Sequence, residues 1–107
     1  MSKKISIGMC INPDKVAELA PGYDYLELTV SGALNPLEDD ATYAPKGAQY
    51  AALRPPVRAC NVFVNPQVKL VGNAVDWELV ERYVTRAVER AAALGVRIIV
   101  FGSGGAR

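Results

Sequence analysis

Apolar runs alternate with polar or amphipathic segments along the whole chain. Runs rich in β-branched and other apolar residues predict four β-strands, at residues 5–11, 23–30, 57–64 and 97–101. The segments between them predict three helices, at residues 13–20, 47–53 and 77–94. Residues 31–45 are rich in Gly, Asn, Pro and Asp, which predicts a loop.

The third helix has the clearest local signals. Asp76 suits the N-cap position, and Gly95 suits the position just past the helix end, where positive φ is common. Residues at helical spacing predict one buried face, made of Val80, Tyr83, Val84, Ala87, Val88, Ala91 and Leu94. The charged residues of this segment, Arg90 among them, are predicted to lie mostly elsewhere on the helix.

Strands that alternate with helices pair in parallel, so the chain is predicted to have an α/β fold with four parallel strands. An open doubly wound sheet would carry its Gly-rich turn after the first strand. Here that position holds Cys10-Ile11-Asn12-Pro13, and the Gly-rich turn follows the fourth strand. Polar residues inside the strands, such as Glu27 and Asn61, also suit a barrel interior near its mouth better than a sheet covered on both faces.

The favoured interpretation is therefore one half of a TIM barrel, with residues 1–107 forming a single partial (β/α)8-barrel domain. Four strands cannot close such a barrel, which needs eight. We expect the chain to be the first part of a larger architecture and to expose both edges of its sheet. Because unpaired edges recruit other chains, we also expect self-association, with two half-barrels completing one another.

Composition narrows the possible partners and compartments. The 12 basic and 11 acidic residues leave a net charge of +1, and no basic block is present, so nucleic-acid binding is not expected. No segment approaches the roughly 18–20 apolar residues that span a bilayer, and a cytoplasmic location is predicted. Cys10 and Cys60 lie within strand patterns, which predicts buried apolar side chains rather than a disulfide.

Several segments together resemble a known family. They are Ile5-Ser6-Ile7-Gly8-Met9-Cys10, Gly22-Tyr23-Asp24-Tyr25-Leu26-Glu27-Leu28, Cys60-Asn61-Val62-Phe63, Leu70-Val71-Gly72 and Val100-Phe101-Gly102-Ser103-Gly104-Gly105-Ala106-Arg107. In this order and spacing they are similar to the N-terminal half of the xylose-isomerase-like TIM-barrel family of sugar-phosphate isomerases and epimerases. The resemblance runs over the whole chain.

The resemblance implies a metal-dependent enzyme that moves a proton between adjacent carbons of a sugar. A divalent cation would hold the substrate oxygens, and carboxylates would transfer the proton. The family's metal ligands are Glu, Asp, His and Glu on later strands, and this chain contains no histidine. We therefore expect no cofactor in this chain, assign no metal ligand and no catalytic residue, and expect a divalent metal in a full-length family member.

Six residues are candidate substrate-binding residues: Glu27, Asn61, Gly102, Ser103, Gly104 and Arg107. The carboxylate of Glu27 either binds a substrate hydroxyl or is held by a backbone amide or an arginine for structural reasons. Asn61 either contacts substrate or bridges neighbouring strands. The turn from Gly102 to Arg107 either binds an anion through its amides and guanidinium or is a tight strand exit.

Two functions from different classes stay open. The first is the N-terminal half of a metal-dependent sugar or sugar-phosphate isomerase or epimerase, inactive alone. The second is a non-catalytic half-barrel for assembly, or a small module that binds an anion such as phosphate. A variant of the second is that identical copies build a complete barrel with a new mouth.

Overall fold

Four parallel strands form one sheet in a computed structural model that describes residues 5–102. The elements follow the order β1 (Gly8–Cys10), a 3₁₀-helix (Pro13–Glu18), β2 (Tyr25–Thr29), a π-helix (Val30–Leu34), α1 (Asp40–Ala51), β3 (Val57–Asn61), α2 (Trp77–Leu94) and β4 (Ile98–Ile99). The predicted α/β fold with four parallel strands and intervening helices is thereby confirmed.

The strands lie in the sheet in the order of the sequence, β1-β2-β3-β4. A doubly wound sheet reverses its order at a switch point, and this sheet does not. The register places four residues side by side across all the strands, namely Cys10, Glu27, Ala59 and Ile98. The described strands do not close into a ring, so β1 and β4 each have one neighbouring strand within residues 5–102.

One face of the sheet carries the hydrophobic core. Leu26 and Leu28 of β2 and Val57 and Cys60 of β3 belong to it. The buried cluster is Leu26, Leu28, Val30, Ala33, Leu34, Tyr43, Tyr50, Val57, Cys60, Phe63, Val64, Val68, Tyr83, Ala87 and Ala91. Val16 within the 3₁₀-helix and Leu19 directly after it pack against the same cluster. The helices therefore cover one face, while the face that bears Glu27, Thr29 and Asn61 has no described helix upon it.

α2 spans Trp77–Leu94, with the side chain of Asp76 accepting a hydrogen bond from Leu79 N and Gly95 in the left-handed conformation at φ 80°. Its buried face differs from the predicted one. Val84 and Val88 are 40% and 50% exposed, whereas Arg90 is only 5% exposed. The buried residues of the helix are Tyr83, Ala87, Arg90 and Ala91. Arg90 can be buried because backbone carbonyls accept its hydrogen bonds, and the spacing of apolar residues does not predict such contacts.

α1 begins at Asp40 rather than at the predicted residue 47, inside the segment predicted to be a loop. The side chain of Asp39 accepts a hydrogen bond from Thr42 N at 2.7 Å, which is a standard N-cap contact. Pro45 lies within the helix although it has no N–H to donate. Burial of Tyr43 and Tyr50 on the core side outweighs that loss.

The strands are shorter than the sequence pattern predicted, because a strand extends only where its backbone is hydrogen-bonded to a neighbouring strand. β3 ends at Asn61, and the next residue, Val62, has φ 47°, which an extended strand does not allow. The first predicted helix is a 3₁₀-helix capped by Asn12, and it ends at Glu18. Among the described residues no helix is long and apolar enough to cross a membrane.

Candidate functional site

The carboxyl ends of the four strands meet along one edge of the sheet. Beyond the ladders, Ser31 N donates to Val62 O at 3.1 Å, and Val64 N donates to Gly102 O at 3.1 Å. These bonds hold the segments after β2, β3 and β4 together. In parallel α/β folds ligands bind at this edge, so it is the candidate location for a functional site.

Glu27 and Asn61 lie on the same, helix-free face of the sheet. Asn61 pairs with Thr29, and Glu27 pairs with Cys10 and Ala59. The Asn61 amide reaches across β2 and donates from Nδ2 to Cys10 Sγ at 3.2 Å. Its Oδ1 is buried and has no hydrogen-bond partner among the described residues. Asn61 thus links β3 to β1, two strands that are not neighbours in the sheet, and keeps an unused acceptor.

The Glu27 carboxylate is half-buried, and no hydrogen bond or ion pair joins it to another of residues 5–102. The arginine partner or backbone amide that a structural role would need is therefore not seen within that range. A half-buried carboxylate without a donor is unfavourable unless water or a ligand supplies one. The geometry leaves Glu27 available to accept hydrogen bonds from a ligand.

A cavity of about 400 Å³ opens at the carboxyl ends of β1 and β2. Its walls are Cys10, Ile11, Asn12, Pro13, Asp14, Thr29, Gly32, Ala33 and Tyr50. Thr29 Oγ1 accepts from Ala33 N at 3.2 Å and so fixes the turn that forms one wall. A Cβ at Gly32 would lie 2.7 Å from that oxygen, so glycine is needed for this close approach.

The chemistry of this lining suits hydroxyl groups better than phosphates. It contains one carboxylate, Asp14, and no basic side chain. Burial raises the pKa of Tyr50, the charge of Lys46 opposes this and that of Asp14 adds to it, so the hydroxyl is protonated at neutral pH. The amide of Asn12 is partly engaged, because its Oδ1 accepts from Asp14 N at 2.9 Å and its Nδ2 is the donor that is left over.

The Gly-rich candidates are only partly described. Gly102 accepts from Val64 N, and a Cβ added to it would meet Val62 Cα at 3.5 Å, an ordinary contact. The close approach that would require glycine is therefore not found at this position. Ser103, Gly104 and Arg107 lie outside the described residues, so their predicted contacts stay predictions.

The family resemblance implies a divalent metal, and the described residues do not fit one. Within residues 5–102 no three His, Cys, Asp or Glu side chains lie close enough together to hold a metal ion. We therefore assign no part of a mechanism to a metal bound by this part of the chain.

Most of the cavity wall was not predicted from the sequence. The turn Cys10-Ile11-Asn12-Pro13 served only as evidence against an open doubly wound sheet, and neither Asp14 nor Tyr50 was predicted to belong to a site. The available signal was the polar turn that directly follows the first strand. Tyr50 gave no such signal, because α1 brings it to the cavity through packing between elements distant in sequence.

No protein-family model, no curated protein and no solved structure matches this chain.

The two thiols are expected to react very differently. Cys10 is exposed and borders the cavity, whereas Cys60 is fully buried in the core. Burial raises the pKa of Cys60 to about 11, with a smaller contribution from Glu27. Because the thiolate is the nucleophile, Cys60 stays protonated and unreactive at pH 8. A chromogenic disulfide reagent that reacts with free thiols should modify one cysteine per native chain and two cysteines after denaturation. Rapid native labelling of both would contradict this placement.

Proposed function

We propose that this chain supplies the substrate-binding strands of a barrel that isomerises or epimerises a sugar or polyol. The observation that carries the proposal is the position of Glu27 and Asn61. Both lie on the helix-free face near the carboxyl-end edge, and each has acceptor capacity that no other described residue uses. Sugars present several hydroxyl donors that match such acceptors.

The cavity next to these residues supports the same class of ligand. Its volume of about 400 Å³ lies within the range typical of small-molecule sites. The protonated hydroxyl of Tyr50 can donate, and the carboxylate of Asp14 can accept. Without a basic side chain in the lining, the described part favours an unphosphorylated sugar or polyol.

Turnover is assigned to a larger assembly rather than to these strands. The family resemblance implies that a divalent cation polarises the substrate oxygens. The residues to hold it would come from strands other than the four described. What this chain contributes is binding and orientation of the polyol, and we expect no isomerisation by these strands without the complementary ones.

The second candidate function, an assembly module without catalysis, is favoured by a different observation. Large apolar side chains are exposed next to both edge strands, Ile7 beside β1 and Ile98 in β4. Such surfaces suit contact with further strands. The two functions are compatible, because a polyol site at the mouth of an assembled barrel would need that contact.

Polyol binding can be measured by isothermal titration with D-xylose, D-xylulose and ribitol, with ribulose 5-phosphate as the charged comparison. For about ten heavy atoms, modest ligand efficiency predicts a Kd of about 1 mM. Glu27→Gln should weaken binding of the neutral polyols by about tenfold or more, because it replaces hydrogen bonds to a charged acceptor.

The matched control is Glu18→Gln. Glu18 is a strongly exposed carboxylate at the end of the 3₁₀-helix, and its ion pair with Lys15 is 3.6 Å long. It belongs to the 3₁₀-helix and not to the helix-free face that carries Glu27 and Asn61, so its substitution should leave the Kd unchanged. Equal affinity of wild type and Glu27→Gln, or no binding of any polyol at 20-fold above the expected Kd (~20 mM), would count against the proposal.

A further inference from the structure

A second cavity opens at the opposite edge of the sheet, where the amino ends of the strands lie. Its volume is about 400 Å³, and its walls include Ser6 before β1, Tyr25 at the start of β2, Arg58 in β3 and Arg97 directly before β4. We call it the amino-end cavity. None of its lining residues also lines the cavity beside Cys10, so the two cavities can bind different ligands.

Two arginines lie side by side in the amino-end cavity. Arg97 N donates to Arg58 O at 2.8 Å, and the next residues, Ile98 and Ala59, are paired between β4 and β3. Neighbouring strands are about 4.8 Å apart, so two guanidinium groups are attached to adjacent backbones. Both stay charged at physiological pH. Like charges this close repel one another, and an anion bound between them removes that cost.

Most hydrogen-bond donors of these two arginines are unused. Nη1 of the half-buried Arg58 donates to Val57 O at 2.8 Å and to Leu94 O at 3.3 Å, which anchors its side chain at the end of α2. Its Nε and Nη2 have no acceptor within residues 5–102, and the exposed side chain of Arg97 has neither a hydrogen bond nor an ion pair in that range. The carbonyls at the end of α2 account for the position of Arg58 but not for that of Arg97.

The rest of the lining suits a small ligand that carries both polar and apolar groups. The hydroxyls of Ser6 and Tyr25 make no hydrogen bond to other described residues, so both can donate to a ligand. A Cβ at Gly8 would overlap the Tyr25 ring, so glycine at this position allows the ring to lie against β1. Ile98, which is 63% exposed, adds apolar surface.

The charge of the lining favours an anion. Asp24 is the one carboxylate among the lining residues, and its Oδ2 accepts a hydrogen bond from Ile7 N at 2.8 Å. Two guanidinium groups and one carboxylate leave the lining with a net positive charge. The lining of the cavity beside Cys10 has the opposite sign, because Asp14 is its one charged residue. The two cavities therefore select ligands of different charge.

We propose that the amino-end cavity binds a phosphate group, held between Arg58 and Arg97 by charge-assisted hydrogen bonds. Its volume lies within the range typical of small-molecule sites. The ligand class is therefore a small phosphomonoester, with free phosphate as the simplest ligand of the same chemistry. This site lies at the edge opposite to the proposed polyol site and does not depend on it.

Titration calorimetry with inorganic phosphate and with glycerol 3-phosphate, at neutral pH and constant ionic strength, tests the site. We expect a Kd on the order of 1 mM. Tighter binding of glycerol 3-phosphate would show that the organic part is also bound, and equal binding would show that the phosphate group alone is recognised. Either result supports the phosphate site.

Arg97→Gln should weaken the binding of both probes by about tenfold, because it removes a charged fork of donors. Arg97 is exposed and its side chain makes no described hydrogen bond, so the variant should fold normally. Arg97→Lys should recover only part of the affinity, since an ammonium lacks the planar fork. Glu27→Gln, at the opposite edge, should leave phosphate binding unchanged, so failure of one proposal leaves the other standing.

The matched control is Arg82→Gln on the exposed side of α2, which removes the same charge. Arg82 shares its surface with Glu78, Glu81 and Glu89, so its substitution should leave both Kd values unchanged. Three results would overturn the proposal. They are an unchanged affinity of Arg97→Gln, an equal loss of affinity in Arg97→Gln and Arg82→Gln, and no binding of either probe at roughly 20 mM.

Discussion

Replacing Arg90 with methionine is expected to lower the free energy of unfolding by about 3–5 kcal/mol. Arg90 is buried in α2, and its guanidinium donates to Leu34 O at 2.8 Å, Asn35 O at 2.7 Å and Glu38 O at 2.7 Å. It also donates to Asp40 Oδ1 at 3.0 Å. Methionine fills a similar volume but leaves these carbonyls without their donor.

The same side chain organises the approach to the cavity. The guanidinium carbon lies 4.2 Å from the centroid of the Tyr43 ring, a cation–π contact with α1. Arg90 therefore connects α2 to the π-helix end, to the following turn and to α1 at once. Its loss should loosen residues 34–40 and, through the π-helix, the cavity wall at Gly32.

Chemical denaturation of Arg90→Met beside Arg82→Met checks this expectation. Arg82 lies on the exposed side of α2, and its substitution should change stability by less than about 0.5 kcal/mol. Arg90→Lys should recover only part of the loss, because an ammonium cannot serve several carbonyls with a planar fork. A loss below about 1 kcal/mol for Arg90→Met would show that the arginine does not anchor this region.

Two tyrosine-to-phenylalanine substitutions should have different effects although they remove the same atom. The Tyr83 hydroxyl donates to Phe63 O at 2.6 Å and accepts from Asn65 N at 3.0 Å. Tyr83→Phe should cost about 1–3 kcal/mol, since it leaves a buried acceptor and a part-buried donor without partners. These two bonds hold the segment that follows β3, next to the positive-φ residue Val62.

Tyr43→Phe is the matched control. The Tyr43 hydroxyl is buried without a hydrogen-bond partner among the described residues, and burial raises its pKa to about 12. Removing it takes away an unsatisfied polar group and keeps the ring that contacts Arg90. Stability should be unchanged or higher by up to about 1 kcal/mol. A larger loss for Tyr43→Phe than for Tyr83→Phe, by thermal or denaturant unfolding, would contradict the hydrogen bonding described.

Local signals in the sequence were enough where a feature depends on neighbouring residues. The bounds of α2 followed from Asp76 and Gly95, and the parallel pairing followed from the alternation of strands and helices. Features that depend on distant contacts were not accessible in this way. The first half of α1 was predicted to be a loop because it contains Pro45, which disfavours a helix. Burial of Tyr43 and Tyr50 against distant parts of the chain offsets this cost, and the local sequence does not indicate that burial.

Arg90 shows the same limit at the level of one residue. An arginine in an amphipathic helix predicts a solvent-facing position, and here it is buried because carbonyls about fifty residues earlier in the chain accept its hydrogen bonds. The sequence placed Glu27 and Asn61 within strands, and the structure has both on the helix-free face, while their role in a site stays a prediction. It did not locate the cavity wall at Asp14 and Tyr50, which forms where the 3₁₀-helix and α1 approach each other.

The claim most central to this account is that the helix-free, carboxyl-end edge of the sheet is a polyol site. A titration with D-xylulose followed by ¹H–¹⁵N correlation spectra tests it directly, because each backbone amide reports its own environment. The account predicts shifts concentrated in residues 10–14, 27–33 and 61–62. Shifts concentrated instead at the amino-end cavity beside Tyr25, Arg58 and Arg97, or no shifts at saturating sugar, would contradict it.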